Sequence, residues 1–242
     1  MYKIRLREDR GRTFTHWLDS AHTFSFAEYF DPFNMGFSDL RAINDNILLP
    51  EGGFDMHSHA NMEIINIIIS GQMEQISSDF GYRNKSEILS KNTIQVISAG
   101  TGTEYKEFNP SNAERLHFLQ AWVLPKKKNI TPSYATKYFT DDKLKNQLRL
   151  IVSGNGANGS LKIMQDTDIY RCFLDMDYTV AYDLPPNRKV WIQVLLGAIE
   201  INSNILEAGD GISITDERGY LDITGVETQS DFCIFSLRNL RI

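Results

Sequence analysis

Gly52-Gly-Phe-Asp-Met-His-Ser-His-Ala-Asn-Met-Glu63 and, further along, Gly100-Thr-Gly-Thr-Glu-Tyr-Lys-Glu-Phe-Asn109 are the two stretches that decide how this chain folds. Residues two apart on a strand point to the same face. His57 and His59 therefore project into one space, and Glu63, an even number of residues on, is placed to share it. Tyr105 and Glu107 are spaced in the same way, with Gly100, Thr101, Gly102 and Thr103 forming the turn that presents them. A His-x-His pair alone carries little weight. Two imidazoles facing a carboxylate carry more, because that donor set suits a two-His-one-carboxylate metal centre with open positions.

The surrounding chain reads as short β-branched and aromatic runs divided by Gly, Asn and Asp. Glu63–Ser70, Thr93–Ser98, Leu116–Leu124, Val190–Leu196, Gly211–Thr215 and Asp231–Leu237 are the clearest. This rhythm predicts an all-β sandwich or barrel. Asp141–Leu150 is the best helical candidate and falls in a polar stretch, Pro125–Ser160, that reads as a linker. The halves on either side resemble each other. Ile69-Ser-Gly-Gln-Met-Glu74 aligns with Leu195-Leu-Gly-Ala-Ile-Glu200, and Leu89–Ile97 aligns with Leu206–Ile214. A chain of 242 residues accommodates two domains of about 120 residues each. The expected division is 1–133 for a first barrel with the candidate site and 134–242 for the linker and a second barrel.

Charge and hydropathy exclude several functions. Lys+Arg 25 against Asp+Glu 31 gives a net charge of −6, and Lys126-Lys127-Lys128 is the one basic run, so direct nucleic-acid binding is not expected. The apolar runs are far shorter than the ~20 residues of a membrane helix. No secretory signal opens the sequence, and a cytoplasmic protein is expected. Cys172 and Cys233 lie in apolar strands, as buried thiols rather than a disulfide.

The two opening stretches combine as His-x-His-x3-Glu-x7-Gly and Gly-x-Gly-x2-Tyr-x3-Asn, which resembles the paired motifs of the cupin fold. Phe24-Ser-Phe-Ala-Glu-Tyr-Phe-Asp-Pro32, Leu40-Arg-Ala-Ile-Asn44, Asn61-Met-Glu-Ile-Ile65, Ser98-Ala-Gly-Thr-Gly102, Glu107-Phe-Asn-Pro-Ser111 and Leu116-His-Phe-Leu-Gln-Ala-Trp122 narrow the resemblance to the bacterial pirins. In the second half Trp191-Ile-Gln-Val194, Gly197 and Ala208-Gly-Asp-Gly211 fit as well. The resemblance implies a bicupin, two tandem double-stranded β-helix barrels, with one metal in the first. Iron is the usual ion, and zinc, nickel, manganese or copper suit the same donors. It assigns His57, His59 and Glu107 as ligands, and it puts Tyr105 where the family has a third histidine.

Tyr105 then admits three roles: a phenolate ligand, a neutral phenol bonded to a metal-held water, or a filler of a weakened site. Glu63 is expected to hydrogen-bond a liganding histidine. His16 and His22 are expected to tie the N-terminal strand to the body, and His117 to be a satisfied core residue. No histidine follows His117, which excludes a His-bearing site in the second barrel. The activity implied is that of a quercetin 2,3-dioxygenase, which opens the central ring of a flavonol with O2 and releases carbon monoxide. In that reading Glu107 is the general base, while Phe54, Met56 and Met62 form the apolar wall for a flat aromatic substrate. The alternatives are an iron-dependent regulator that binds a protein partner and a metal-free bicupin. A monomer is expected, since two joined barrels cover each other's faces.

Overall fold

The computed structural model describes residues 1–77 and 85–239. Four sheets, antiparallel except for one short parallel pair, fold into two barrels, the tandem cupin architecture expected. The first barrel's larger sheet runs, in spatial order, Ser133–Tyr138, Thr93–Ser98, Glu63–Ser70, Leu116–Val123, Leu40–Leu48, Leu18–His22 and Gly11–Phe14. Facing it is a smaller sheet of Gly53–His59, Thr103–Phe108, Gln72–Ser77 and Lys85–Ser90. In the second barrel the larger sheet runs Tyr2–Arg5, Gly211–Ile214, Arg188–Leu196, Ser230–Arg238, Asp168–Leu174, Arg149–Ser153 and Leu161–Lys162. Its smaller partner is Thr179–Leu184, Gly219–Gly225, Ala198–Ile201 and Asn204–Glu207.

The near-continuous apolar run Ile64-Ile65-Asn66-Ile67-Ile68-Ile69 follows from burial on both faces of its strand. Ile65, Ile67 and Ile69 join Leu119, Ala121 and Val123 in a core shared with Trp191, Leu195, Phe235 and Leu237 of the second barrel. Ile64 and Ile68 instead face the first barrel's interior, in separate clusters. Each fully buried isoleucine contributes about 1.5–3 kcal/mol, so this shared layer fixes the barrels face to face. Asp39 and Arg238 add a two-pronged ion pair across it, at 2.7 and 2.8 Å.

The internal duplication is visible in the backbone. Gly71 (φ 76°) and Gly197 (φ 68°) make equivalent turns between a long strand and its return. A Cβ at either would lie 2.3 Å from the Arg115 carbonyl oxygen or 2.7 Å from that of Gln229, so both turns require glycine.

The barrels exchange ends. Tyr2–Arg5 pairs with Gly211–Ile214 in the second barrel, while Ser133–Tyr138 pairs with Thr93–Ser98 in the first. The stretch Pro125–Ser160 is therefore not a plain linker, because it supplies a strand to each barrel. The expected helix shrinks to one turn, Asp141–Leu144. Lys145 already has extended dihedrals (φ −75°, ψ 124°), Asn146 is left-handed (φ 51°), and Leu150 belongs to a strand. Cys172 and Cys233 are free and buried, as expected. Among the described residues no helix is long and apolar enough to cross a membrane.

Candidate active site

The first barrel's interior is polar at one level. Strand register places His22, Asn44, Gln120, Asn66 and Gln95 side by side across five neighbouring strands of its larger sheet. All five are at most 8% exposed. Asn66 donates to Gln95 Oε1 at 2.6 Å, and Gln95 in turn donates to Gln75 and to the Tyr134 hydroxyl. Sequence reading did not single out this belt, since each amide looks like an isolated interruption of an apolar strand. The signal was a recurrence of Asn or Gln at inward positions, which only the strand pairing aligns.

Glu107 sits against the belt from the facing sheet. It is 1% exposed, and its carboxylate accepts from Asn66 Nδ2 and from Gln120 Nε2 at 3.3 Å. Burial raises its pKa to about 7, against the lowering effect of those two amides. A carboxyl group poised there can hold or take a proton near neutral pH.

His57 and His59 stand on the adjoining strand with ring centroids 4.9 Å apart, as the two-residue spacing predicts. The His57 Nδ1–H donates to the Asp55 carbonyl at 2.7 Å, which leaves Nε2 for a ligand. Burial, helped by the nearby His57, lowers the pKa of His59 to about 4, so its imidazole is neutral at pH 7. Tyr105 pairs directly opposite His57, with centroids 4.8 Å apart, and lies 5.7 Å from His59. Its ring packs with Ile64 and Ile97 and is fully buried, and its hydroxyl has no hydrogen-bond partner among the described residues. Burial and then the Glu107 charge hold the phenol well above its ordinary pKa, so it is neutral here.

A cavity of 230 Å³ joins the two imidazoles and Glu107, with Tyr105 outside its lining. Phe26, Phe54 and Trp122 give it aromatic walls; His57, His59 and Glu107 line it, and Ser20, His22, Asn44 and Asn46 form the opposite side. Phe54 reaches the cavity because of a β-bulge. Tyr105 pairs with His57 but Glu107 pairs with Phe54, so one extra residue enters the His-bearing strand between them. That insertion flips the side-chain alternation and brings Phe54 inward beside His57.

Several expected positions need correction. Met56 is 45% exposed, because it alternates with inward-facing His57, and does not line the cavity. Met62 packs against the Ile64–Ile97–Tyr105 cluster behind the imidazoles instead of forming a substrate wall. Glu63 does not bond a histidine; one of its oxygens accepts from Ser98 Oγ at 2.6 Å and from the Met164 N–H at 3.1 Å, linking the barrels. His16 is exposed and ties nothing down, whereas His22 bonds Asn44 at 2.8 Å and Thr13 at 2.9 Å. His117 is satisfied by Asp45 at 2.6 Å.

The donor chemistry fits a first-row metal ion. Two ligand-ready imidazoles and a carboxyl group line one cavity. Behind the imidazoles, the Tyr105 oxygen has no partner among the described residues and is the kind of atom a bound ion or its water would satisfy. Among the described residues no three His, Cys, Asp or Glu side chains converge into a finished cage. Both oxygens of Glu107 are engaged by Asn66 and Gln120.

Comparison with known proteins agrees with this anatomy. The family model described as Pirin matches residues 3–123, and that described as Quercetinase C-terminal cupin domain matches residues 150–237. A quercetin 2,3-dioxygenase of Escherichia coli (strain K12) is 40% identical over 218 residues, covering 90% of this chain and 91% of that protein. A pirin-like protein of Caulobacter vibrioides is 32% identical over 212 residues, covering 87% of this chain and 89% of its own. The crystal structure of the bacterial pirin YhhW from Escherichia coli in complex with nickel(II) superposes with a TM-score of 0.91 at 37% identity, covering 99% of this chain and 100% of that one.

Proposed function

The chain belongs to the pirin family, and from that membership we propose that it is a metal-dependent quercetin 2,3-dioxygenase, opening the central ring of a flavonol with molecular oxygen. The observation that carries this reading is a single cavity bounded by two imidazoles, a carboxyl group of pKa about 7 and three aromatic walls. His57 and His59 would hold a divalent ion, iron in our reading, with Tyr105 and Glu107 beside it. The ion would supply Lewis acidity toward the flavonol 3-oxygen and a redox path to O2.

The remaining work falls to this chain's own side chains. Phe54 and Trp122 sandwich a flat ring system and exclude water from it. Glu107, oriented by hydrogen bonds from Asn66 and Gln120, takes the proton of the 3-hydroxyl on its carboxylate oxygen. Burial makes the group basic enough for that transfer, and the two amides keep a share of it ionised at pH 7. The experiment is anaerobic loading with ferrous ion followed by quercetin and oxygen. Loss of the flavonol absorbance with release of carbon monoxide is expected. A fully loaded protein that leaves the flavonol spectrum intact would overturn the proposal.

A further inference from the structure

The side of the cavity opposite the imidazoles has a chemistry that the reaction itself does not use. Asn44 and Asn46 are alternate residues of one strand, both facing inward, at 2% and 3% exposure. Each is paired across the strand with a polar residue that engages one end of its amide. His22 Nδ1 bonds Asn44 Oδ1 at 2.8 Å, and Ser20 Oγ donates to Asn46 Oδ1 at 2.6 Å. The other end of each amide has no partner among the described residues, yet neither nitrogen is sealed off, because both residues line the cavity. Each free amide end is thus offered to whatever occupies the cavity, water or a ligand carrying hydroxyl groups.

We propose that Asn44 and Asn46 form a recognition subsite for ring hydroxyl groups of a polyhydroxylated aromatic substrate. Successive inward residues of a strand are about 7 Å apart, so the two amides address different positions of one flat molecule. Asn44 neighbours Gln120 in register, and Gln120 donates to Glu107, which puts the subsite one strand beyond the proton-accepting carboxylate. A molecule delivering a hydroxyl to Glu107 therefore extends its remaining rings along the amides. A phenolic hydroxyl both donates and accepts, and His22 and Ser20 hold the amides rigid, so the subsite selects hydroxylated rings over bare ones. Ser20 and His22 are positioning residues here, since they act through the asparagines. This inference rests on the flavonol reading of the cavity and adds to it the feature that discriminates among flavonols.

The test compares quercetin, which carries hydroxyls on its outer rings, with 3-hydroxyflavone, which carries only the reacting one. Binding is read by quenching of tryptophan fluorescence, since Trp122 lines the cavity, in protein with and without metal. Wild-type protein is expected to prefer quercetin by at least 10-fold. Asn46→Ala should weaken quercetin binding about 3- to 10-fold, the value of one hydrogen bond, and shift 3-hydroxyflavone by less than 2-fold. Because Asn46→Ala also deprives Ser20 of its acceptor, Ser20→Ala/Asn46→Ala provides a second variant that removes both partners and leaves no orphaned hydroxyl. It should melt close to wild type while still losing preference. Equal affinities for both flavonols in wild type, or equal losses for both in the variants, would overturn the subsite and leave the dioxygenase reading standing. Failure of the wild type to bind either flavonol would overturn both.

Discussion

Replacing Tyr105 with phenylalanine should stabilise the metal-free protein. Tyr105 is fully buried among Ile64, Ile97 and the imidazoles, and its hydroxyl lacks a partner. A buried hydroxyl without a hydrogen bond costs about 1–3 kcal/mol. Tyr105→Phe removes that penalty and leaves a gap of one oxygen atom, for a net gain of about 1–2 kcal/mol. For a chain of this size each kcal/mol moves Tm by about 2–4 °C, so a rise of about 2–8 °C is expected in chelator-treated protein followed by differential scanning fluorimetry. With nickel or ferrous ion added the advantage should shrink. A phenol that bonds the ion or its water contributes to affinity, and every tenfold loss of affinity removes about 1.4 kcal/mol of metal-linked stabilisation at saturating metal. Tyr105→Phe should therefore show a smaller metal-induced rise than wild type. A lower Tm for the metal-free variant would refute the claim that the hydroxyl is stranded. An identical metal-induced rise in both proteins would refute any part for the phenol in metal binding.

Tyr105→His should restore a third imidazole beside His57 and His59, and isothermal titration should show tighter metal binding than wild type, with turnover rising alongside. Glu107→Gln should abolish flavonol turnover measured by absorbance, because an amide cannot take the hydroxyl proton. The same variant tests the raised pKa. The carboxyl group titrates at about 7 in the folded protein against an ordinary 4.5, so its contribution to stability is fully present below pH 4.5 and is lost as pH rises through 7. Urea unfolding of metal-free protein should thus show wild type losing about 3 kcal/mol relative to Glu107→Gln across that interval; parallel curves would contradict it. In the second barrel, Arg171 and Asp231 form a fully buried two-pronged pair at 3.0 and 2.7 Å. Asp231→Ala should destabilise by about 3–5 kcal/mol by chemical denaturation while leaving the metal bound per folded molecule unchanged.

What the sequence made legible was whatever depends on local alternation. The strand rhythm gave the barrels, and the spacing of His57 with His59 put two imidazoles on one face. The aligned glycines at 71 and 197 marked a real structural duplication. What stayed hidden depends on pairing between distant strands. Nothing local to Phe54 announces the bulge, yet that one inserted residue turns Phe54 into the cavity, whereas Met56 points outward by plain alternation with His57. Glu63 looked like a partner for histidine because of its sequence position, but its strand borders Thr93–Ser98 and delivers it to Ser98 and the Met164 amide. The exchanged end strands were invisible for the same reason: Tyr2–Arg5 carries no mark that its partner lies more than two hundred residues away.

The two barrels share one architecture and differ in what fills them, and that difference explains why the candidate site lies in the first. The second barrel's interior is closed by Val190, Ile192, Val194, Ile212, Phe232 and Ile234, among others, in one apolar cluster. Its glutamine, Gln193, points the other way, toward Thr23 and the Gly209 and Asp210 carbonyls at the junction of the barrels. In the first barrel the corresponding inward layer is amides, a carboxyl group and imidazoles around a 230 Å³ cavity. Such a layer forgoes the burial energy of an aliphatic core and strands polar atoms, so it weakens the barrel that contains it. The apolar face shared between the barrels compensates, since Ile65, Ile67 and Leu119 back the polar strands with the second barrel's Trp191 and Phe235. In this arrangement the second barrel acts as the rigid support that allows the first to keep an open and polar interior, which is the condition that the proposed ion and hydroxylated ring require.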